Sequence, residues 1–212
     1  LSMKKQIVVI HGGNTFDTYE EYLSFLKGFS IDFERIKAGT KNWKQTLQER
    51  LGEEYEIIAP SMPNKTNARF LEWKIWFEKF IPFLEKEVLL IGHSLGGTFL
   101  AKYLSENEFP KKVRATFLVS APFDNEDSGE SLADFVLEGT GLYPPSPANL
   151  SMLEKQGGKI FLYHSEEDPI VPFAEFKKYK NALPNAVARA FKDREHFNQE
   201  EFPELVNDIQ SA

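Results

Sequence analysis

Apolar residues along this chain recur in two rhythms that take turns. Ile7-Val8-Val9-Ile10, Val88-Leu89-Leu90-Ile91 and the stretches 55–59, 115–120, 159–164 and 186–191 are short and mostly apolar. Runs of that length suit strands buried on both faces. Between them, apolar side chains recur every three or four positions, which is helical spacing. Tyr22, Leu23 and Leu26 mark a helix over 19–26, and Trp43, Leu47 and Leu51 mark one over 41–51 that Gly52 stops. Phe70, Trp73, Phe77, Phe80, Ile81 and Leu84 give the strongest helix, over 68–84, with Pro82 ending or bending it. Phe99, Leu100, Tyr103 and Leu104 place another over 95–104, and helices over 173–183 and 200–209 complete the series.

Two stretches break the rhythm. Residues 27–40 read as irregular. Residues 122–150 hold several Gly and Pro and an acidic opening at Asp124, Glu126, Asp127 and Glu130, with a short helix predicted over 131–137. Strand and helix otherwise alternate six times, which predicts an α/β fold: a mainly parallel six-stranded sheet with helices on both faces. No repeat or linker interrupts the 212 residues, so a single domain over 1–212 is expected.

Composition excludes more than it specifies. A net charge of −7 without clustered Lys and Arg gives no nucleic-acid surface. With no Cys there is no disulfide framework, thiolate metal site or cysteine nucleophile. No apolar run is long enough to span a bilayer. The aromatic face of 68–84 is backed by charges of both signs, which suits core packing rather than a membrane surface. Met3 reads as the native first residue and Leu1-Ser2 as an added remnant; no secretory segment is visible, so the cytoplasm is the expected compartment. Phosphate-cradling glycine motifs and His-x-x-x-His metal motifs are missing, so no metal or cofactor is expected.

Candidate chemistry concentrates at Gly92-His93-Ser94-Leu95-Gly96-Gly97, between the third strand and its helix. The core pattern, Gly92-x-Ser94-x-Gly96, arises by chance in about one chain of this size in fifteen, so its context decides its meaning. A serine on a sharp strand-to-helix turn needs small neighbours, and the turn lifts its hydroxyl out of the sheet beside unpaired helix N–H groups. In such sheets ligands gather at the carboxyl ends of the strands. There stand His11, Gly12, Gly13 and Asn14 after strand one, Ser94 after strand three, Glu166, Glu167 and Asp168 after strand five, and His196 after strand six. Serine, acid, histidine is the chain order of a strand-turn-helix serine nucleophile with its partners. His196 is the expected base. His93 lies inside the turn and cannot fold back on Ser94, His11 shapes the loop after strand one, and His164 is buried or flanking. Asp168, fixed by Pro169 and Pro172, is the preferred acid; Glu167 is the fallback, and Asp124 a further candidate. Leu95 N–H and one of Gly12, Gly13 or Asn14 N–H are the expected oxyanion donors.

The Gly92–Gly97 turn resembles the α/β-hydrolase superfamily. Glu195-His196-Phe197-Asn198 with its tail, Asp168-Pro169-x-Val171-Pro172 and Val119-Ser120-Ala121-Pro122 resemble the small serine hydrolases related to retinoblastoma-binding protein 9. That resemblance implies a compact α/β-hydrolase with sheet order 2-1-3-4-5-6 and a Ser94-Asp168-His196 triad; the 122–150 segment is too short for a large cap. Two departures matter. Glu195 stands where relatives commonly have Gly, and the cysteine-containing motif credited with retinoblastoma binding has no counterpart, so that partner is not implied. The expected activity is cleavage of small ester-type substrates through an acyl-enzyme. Phe123, Phe135, Leu142 and Tyr143 are the expected pocket walls, on a 122–150 segment overhanging the site. The same constellation serves thioesters and amides, and a binding protein could retain the turn without turnover.

Overall fold

A computed structural model describes residues 4–126, 131–137 and 149–212. Six strands, β1 (Lys5–Ile10), β2 (Tyr55–Ile58), β3 (Glu87–His93), β4 (Lys112–Val119), β5 (Lys159–Ser165) and β6 (Val187–Phe191), form one sheet in the order β2-β1-β3-β4-β5-β6. All five pairings are parallel. This is the α/β-hydrolase arrangement that the resemblance implied. Each strand buries alternate side chains in one of two cores. Val8, Ile10, Val88, Leu90, Leu118 and Leu162 face the larger one. Ile7, Val9, Leu89, Ile91, Phe117 and Phe161 face the other. Because both faces are covered, the inner strands β1 and β3 show unbroken apolar runs instead of alternation, while the edge strands β2 and β6 carry exposed Glu56 and Arg189.

Helices α4 (Phe70–Phe80), α5 (Leu95–Glu106), α6 (Ser151–Gln156) and α7 (Phe173–Ala182) cover the first face. Helices α3 (Trp43–Leu51) and α8 (Pro203–Ser211) cover the second. Pro82 falls in a 3-10 turn, Ile81–Phe83, that finishes α4. The amide of Phe70 at the start of α4 is capped from a distance, donating to both Asp134 carboxylate oxygens at 2.9 Å. No helix among the described residues is long and apolar enough to cross a membrane.

Two expectations need correction. The stretch 27–40 is not wholly irregular: after α1 (Tyr19–Gly28) it holds α2 (Phe33–Ala38). None of the α2 side chains is buried: Phe33 and Ile36 lie one turn apart, but each is 66% exposed, so the helix packs no apolar face on the core. It is set by its ends: the Asp32 side chain accepts from Arg35 N–H, and Gly39 closes it at φ 60°. The helix expected over 131–137 shrinks to a 3-10 turn, Ala133–Phe135.

Candidate active site

The turn after β3 is built on close approach. Ser94 sits at φ 54°, ψ −128°, a conformation that costs an L-residue strain of order 1–3 kcal/mol and has to be over-determined by its surroundings. The surroundings do this. A Cβ on Gly92 would lie 2.4 Å from the Gly96 carbonyl oxygen, and one on Gly96 would lie 2.3 Å from that of Ile10. Ser94 N–H donates to the Val119 carbonyl at 2.8 Å, and the Ser94 carbonyl accepts from Gly97 N–H at 2.8 Å. The serine thus caps β3, leans on β4 and opens α5 with its hydroxyl toward a cavity of about 350 Å³.

His196 reaches the same cavity from the loop between β6 and α8. Its Nδ1 lies 2.8 Å from Asp168 Oδ2 and 3.1 Å from Oδ1. The Asp168 side chain is wholly buried. Burial alone would raise its carboxyl; the His196 hydrogen bond and charge, with N–H donations from Val171 and Ile170, outweigh this and hold it below the usual range. Those two amides both bind Oδ1, at 3.0 and 2.9 Å, so Oδ2 is left for the histidine. Glu166 and Glu167 are exposed, and Asp124 pairs with Lys178 at 2.6 Å. Of the carboxylates considered, Asp168 alone meets His196.

The other histidines support this arrangement. His11 Nε2 accepts from Met62 N–H at 2.8 Å, so Nδ1 carries the proton and donates to the Gly12 carbonyl at 2.6 Å. The loop after β1 is thereby fixed. His93 Nδ1 accepts from the Lys44 ammonium at 2.9 Å, and its Nε2–H donates to the His196 carbonyl at 2.8 Å. Burial, then Lys44, keep His93 far below its ordinary pKa and therefore neutral. His164 Nε2–H donates to the Val171 carbonyl at 2.8 Å, bracing the turn that carries Asp168. Helix α3 clamps the His196 loop from outside: Trp43 Nε1–H donates to the Phe197 carbonyl at 2.9 Å, and Thr46 Oγ1–H to that of Glu200 at 2.6 Å.

The loop before His196 turns through Glu195 at φ 46°. This is the left-handed region that glycine occupies freely. A left-handed L-residue costs roughly 1–2 kcal/mol, and a glycine gives back roughly 0.5–1 in chain entropy. Glu195→Gly is therefore expected to raise stability by about 0.5–1 kcal/mol, while Glu195→Ala should not. Thermal unfolding of the two variants against the unmodified chain checks this; equal midpoints for Gly and Ala would refute the strain argument.

Gly12, Gly13 and Leu95 line the cavity, and among the described residues no loop or turn hydrogen bond uses their N–H groups. Asn14 also lines it, but its N–H donates to the Lys65 carbonyl at 2.8 Å, so it is spent as an oxyanion donor. The expected pocket aromatics are also corrected. Phe135 is fully buried, 5.2 Å from the Trp73 ring, because Asp134 ties that turn to the start of α4. Phe123 packs edge-on against Tyr179 at 4.8 Å, its amide held by buried Glu175 at 2.6 Å. Leu142 and Tyr143 lie outside the described residues. From the 122–150 segment, Pro122, Ser131 and Leu132 line the cavity instead. Sequence reasoning missed Lys44, Lys65, Thr15, Thr66 and Asn198 as cavity walls. Burial pushes the Lys44 ammonium down to about 8. Among the described residues no group of three or more His, Asp or Glu side chains is placed to hold a metal ion.

A nucleophile-elbow serine, a histidine backed by a buried carboxylate and free amides on two sides define a site of the hydrolase type. The family model described as "Serine hydrolase" matches residues 36–204, and the chain belongs to that family. It is 27% identical over 164 residues to serine hydrolase RBBP9 of Rattus norvegicus, spanning 74% of this chain and 77% of that protein. Among solved structures, the ydeN gene product of B. subtilis superposes with a TM-score of 0.73 at 19% identity, covering 98% of both chains. A carboxylesterase of Nitrososphaera gargenis superposes with a TM-score of 0.55 at 16% identity, over 98% of this chain and 89% of the other. These two likenesses show the fold.

Proposed function

We propose that this serine hydrolase cleaves small carboxylic esters with Ser94 as nucleophile, His196 as base and acid, and Asp168 orienting His196. Ser94 Oγ attacks the ester carbonyl carbon while its proton passes to His196 Nε2. Leu95 N–H, with Gly12 or Gly13 N–H, holds the oxyanion. The carbon–oxygen bond to the leaving alcohol breaks as His196 returns the proton to it. Water, deprotonated by His196, then attacks the acyl-enzyme and releases the acid and free Ser94.

The observation that carries this reading is the 2.8 Å contact between His196 Nδ1 and the buried Asp168 carboxylate, with His196 and Ser94 on one cavity wall. Asp168 holds the Nδ1 proton and leaves Nε2 as the base. The cavity, about 350 Å³, suits a small ligand. The carboxylesterase with this fold agrees with the choice of ester, and the ester is a proposal for this chain.

The test is a fluorophosphonate probe followed by peptide mapping. The adduct is expected on the Ser94 peptide, with none on Ser94→Ala. Folded protein that takes no label, or label that persists on Ser94→Ala, would overturn the catalytic reading.

A further inference from the structure

The cavity in front of Ser94 runs against the charge of the molecule. The chain carries a net −7, yet the cavity wall holds Lys44 and Lys65 and, among the described residues, no carboxylate. Asp168 sits behind His196, sealed from the cavity. The two lysines come from different elements, the first turn of α3 and the loop between β2 and α4. Both charges bear on the His11 ring, so both act on one region.

Neither position is casual. Lys44 Nζ donates to His93 Nδ1 at 2.9 Å and lies 5.0 Å from the Trp43 ring centroid, contacts that aim an ammonium without neutralising it. A cation in the first turn of a helix stands at the unfavourable end of the dipole. The backbone of Lys65 is locked to the oxyanion loop: its carbonyl accepts from Asn14 N–H and packs so tightly that a Cβ on Gly13 would come within 2.6 Å. The Lys44 ammonium is held by His93 and Trp43, and the backbone of Lys65 is fixed at the cavity wall, with no acidic wall residue described opposite them. An anion arriving in the cavity meets attraction from both and repulsion from no described wall residue.

We propose that Lys44 and Lys65 are specificity residues that select esters carrying a free carboxylate close to the scissile carbonyl. This rests on the ester-hydrolase reading of the site and narrows its substrate class. The lysines take no part in bond making. They bind the carboxylate that does not react, so their effect is on the choice between charged and neutral substrates.

Two probe pairs test it with the intact chain: para-nitrophenyl hydrogen succinate against its methyl ester, and para-acetoxybenzoate against its methyl ester. In at least one pair the free acid is expected to show about tenfold higher kcat/KM, the size of a charged hydrogen bond. The pair that responds tells whether the carboxylate belongs to the acyl or the leaving-group side. The preference should shrink in about 0.5 M salt. Lys65→Gln, at an exposed position, should lower the charged-to-neutral ratio about threefold, and Lys65→Glu should lower it further. Lys44→Gln should act in the same direction; if it does not fold, the Lys65 variants still decide. A ratio near one in both pairs, or a ratio unmoved by Lys65→Glu, overturns the assignment while leaving the hydrolase standing. No turnover of any of the four esters by protein whose Ser94 takes the fluorophosphonate label overturns the ester reading and this one with it.

Discussion

Ser94→Ala is expected to lower kcat by about 10⁶, and Asp168→Asn by about 10⁴, with the fold intact in both. Alanine keeps the Cβ that already tolerates φ 54°, so the turn is undisturbed and only the nucleophile is lost. The asparagine case turns on hydrogen-bond direction. Oδ1 of Asp168 accepts from Ile170 and Val171 N–H, so the amide oxygen of asparagine must take that place. Its NH₂ then occupies the Oδ2 position, 2.8 Å from His196 Nδ1. A donor there forces Nδ1 to accept, which moves the histidine proton to Nε2 and leaves Ser94 facing a donor in place of a base. Steady-state kinetics on one activated ester, with circular dichroism of each variant, measures both effects. Asp168→Asn turning over within tenfold of the unmodified chain would remove Asp168 from the mechanism.

The proposed triad of Ser94, His196 and Asp168 can be picked from the sequence because its constraints are local or ordinal. The elbow demands small residues within a few positions, and the partners follow later strands in a set order. The sheet order followed from the family resemblance, and the observed order is the same. The cavity walls were not legible, because they depend on which distant backbone each segment meets. Lys44 occupies a polar position on a helix whose apolar face is Trp43, Leu47 and Leu51; only the packing of α3 over the His196 loop brings it to the site. Phe123 and Phe135 looked like pocket residues because an irregular segment offers no periodicity to assign them. Two carboxylates, Glu175 and Asp134, pull their backbones inward through bonds spanning 52 and 64 residues. Asn14 failed as a donor for the same reason, since its acceptor is the carbonyl of Lys65.

Gly96→Ala is expected to damage both stability and turnover, although it adds one methyl group. The Cβ would lie 2.3 Å from the Ile10 carbonyl oxygen and 2.5 Å from that of His11. Both are backbone atoms, one at the end of β1 and one in the loop that precedes Gly12. No side-chain rotation relieves them. Either α5 retreats from β1, carrying Ser94 and Leu95 N–H with it, or the Gly12–Gly13 loop retreats and takes the second donor away. Overpacking of this kind costs about 3 kcal/mol, which lowers the melting midpoint of a chain this size by roughly 10 °C. The protein that remains folded has its donors and nucleophile displaced by about an ångström, enough to cost about 10²-fold in kcat. Gly28→Ala is the control, because a Cβ there meets nothing within 4 Å. It should change stability by no more than about 1 kcal/mol and leave kcat alone. Gly96→Ala with an unchanged midpoint and normal turnover would mean that β1, its loop and α5 can separate without consequence. The contact of Gly96 with the two carbonyls would then not be what holds Ser94 against its oxyanion donors.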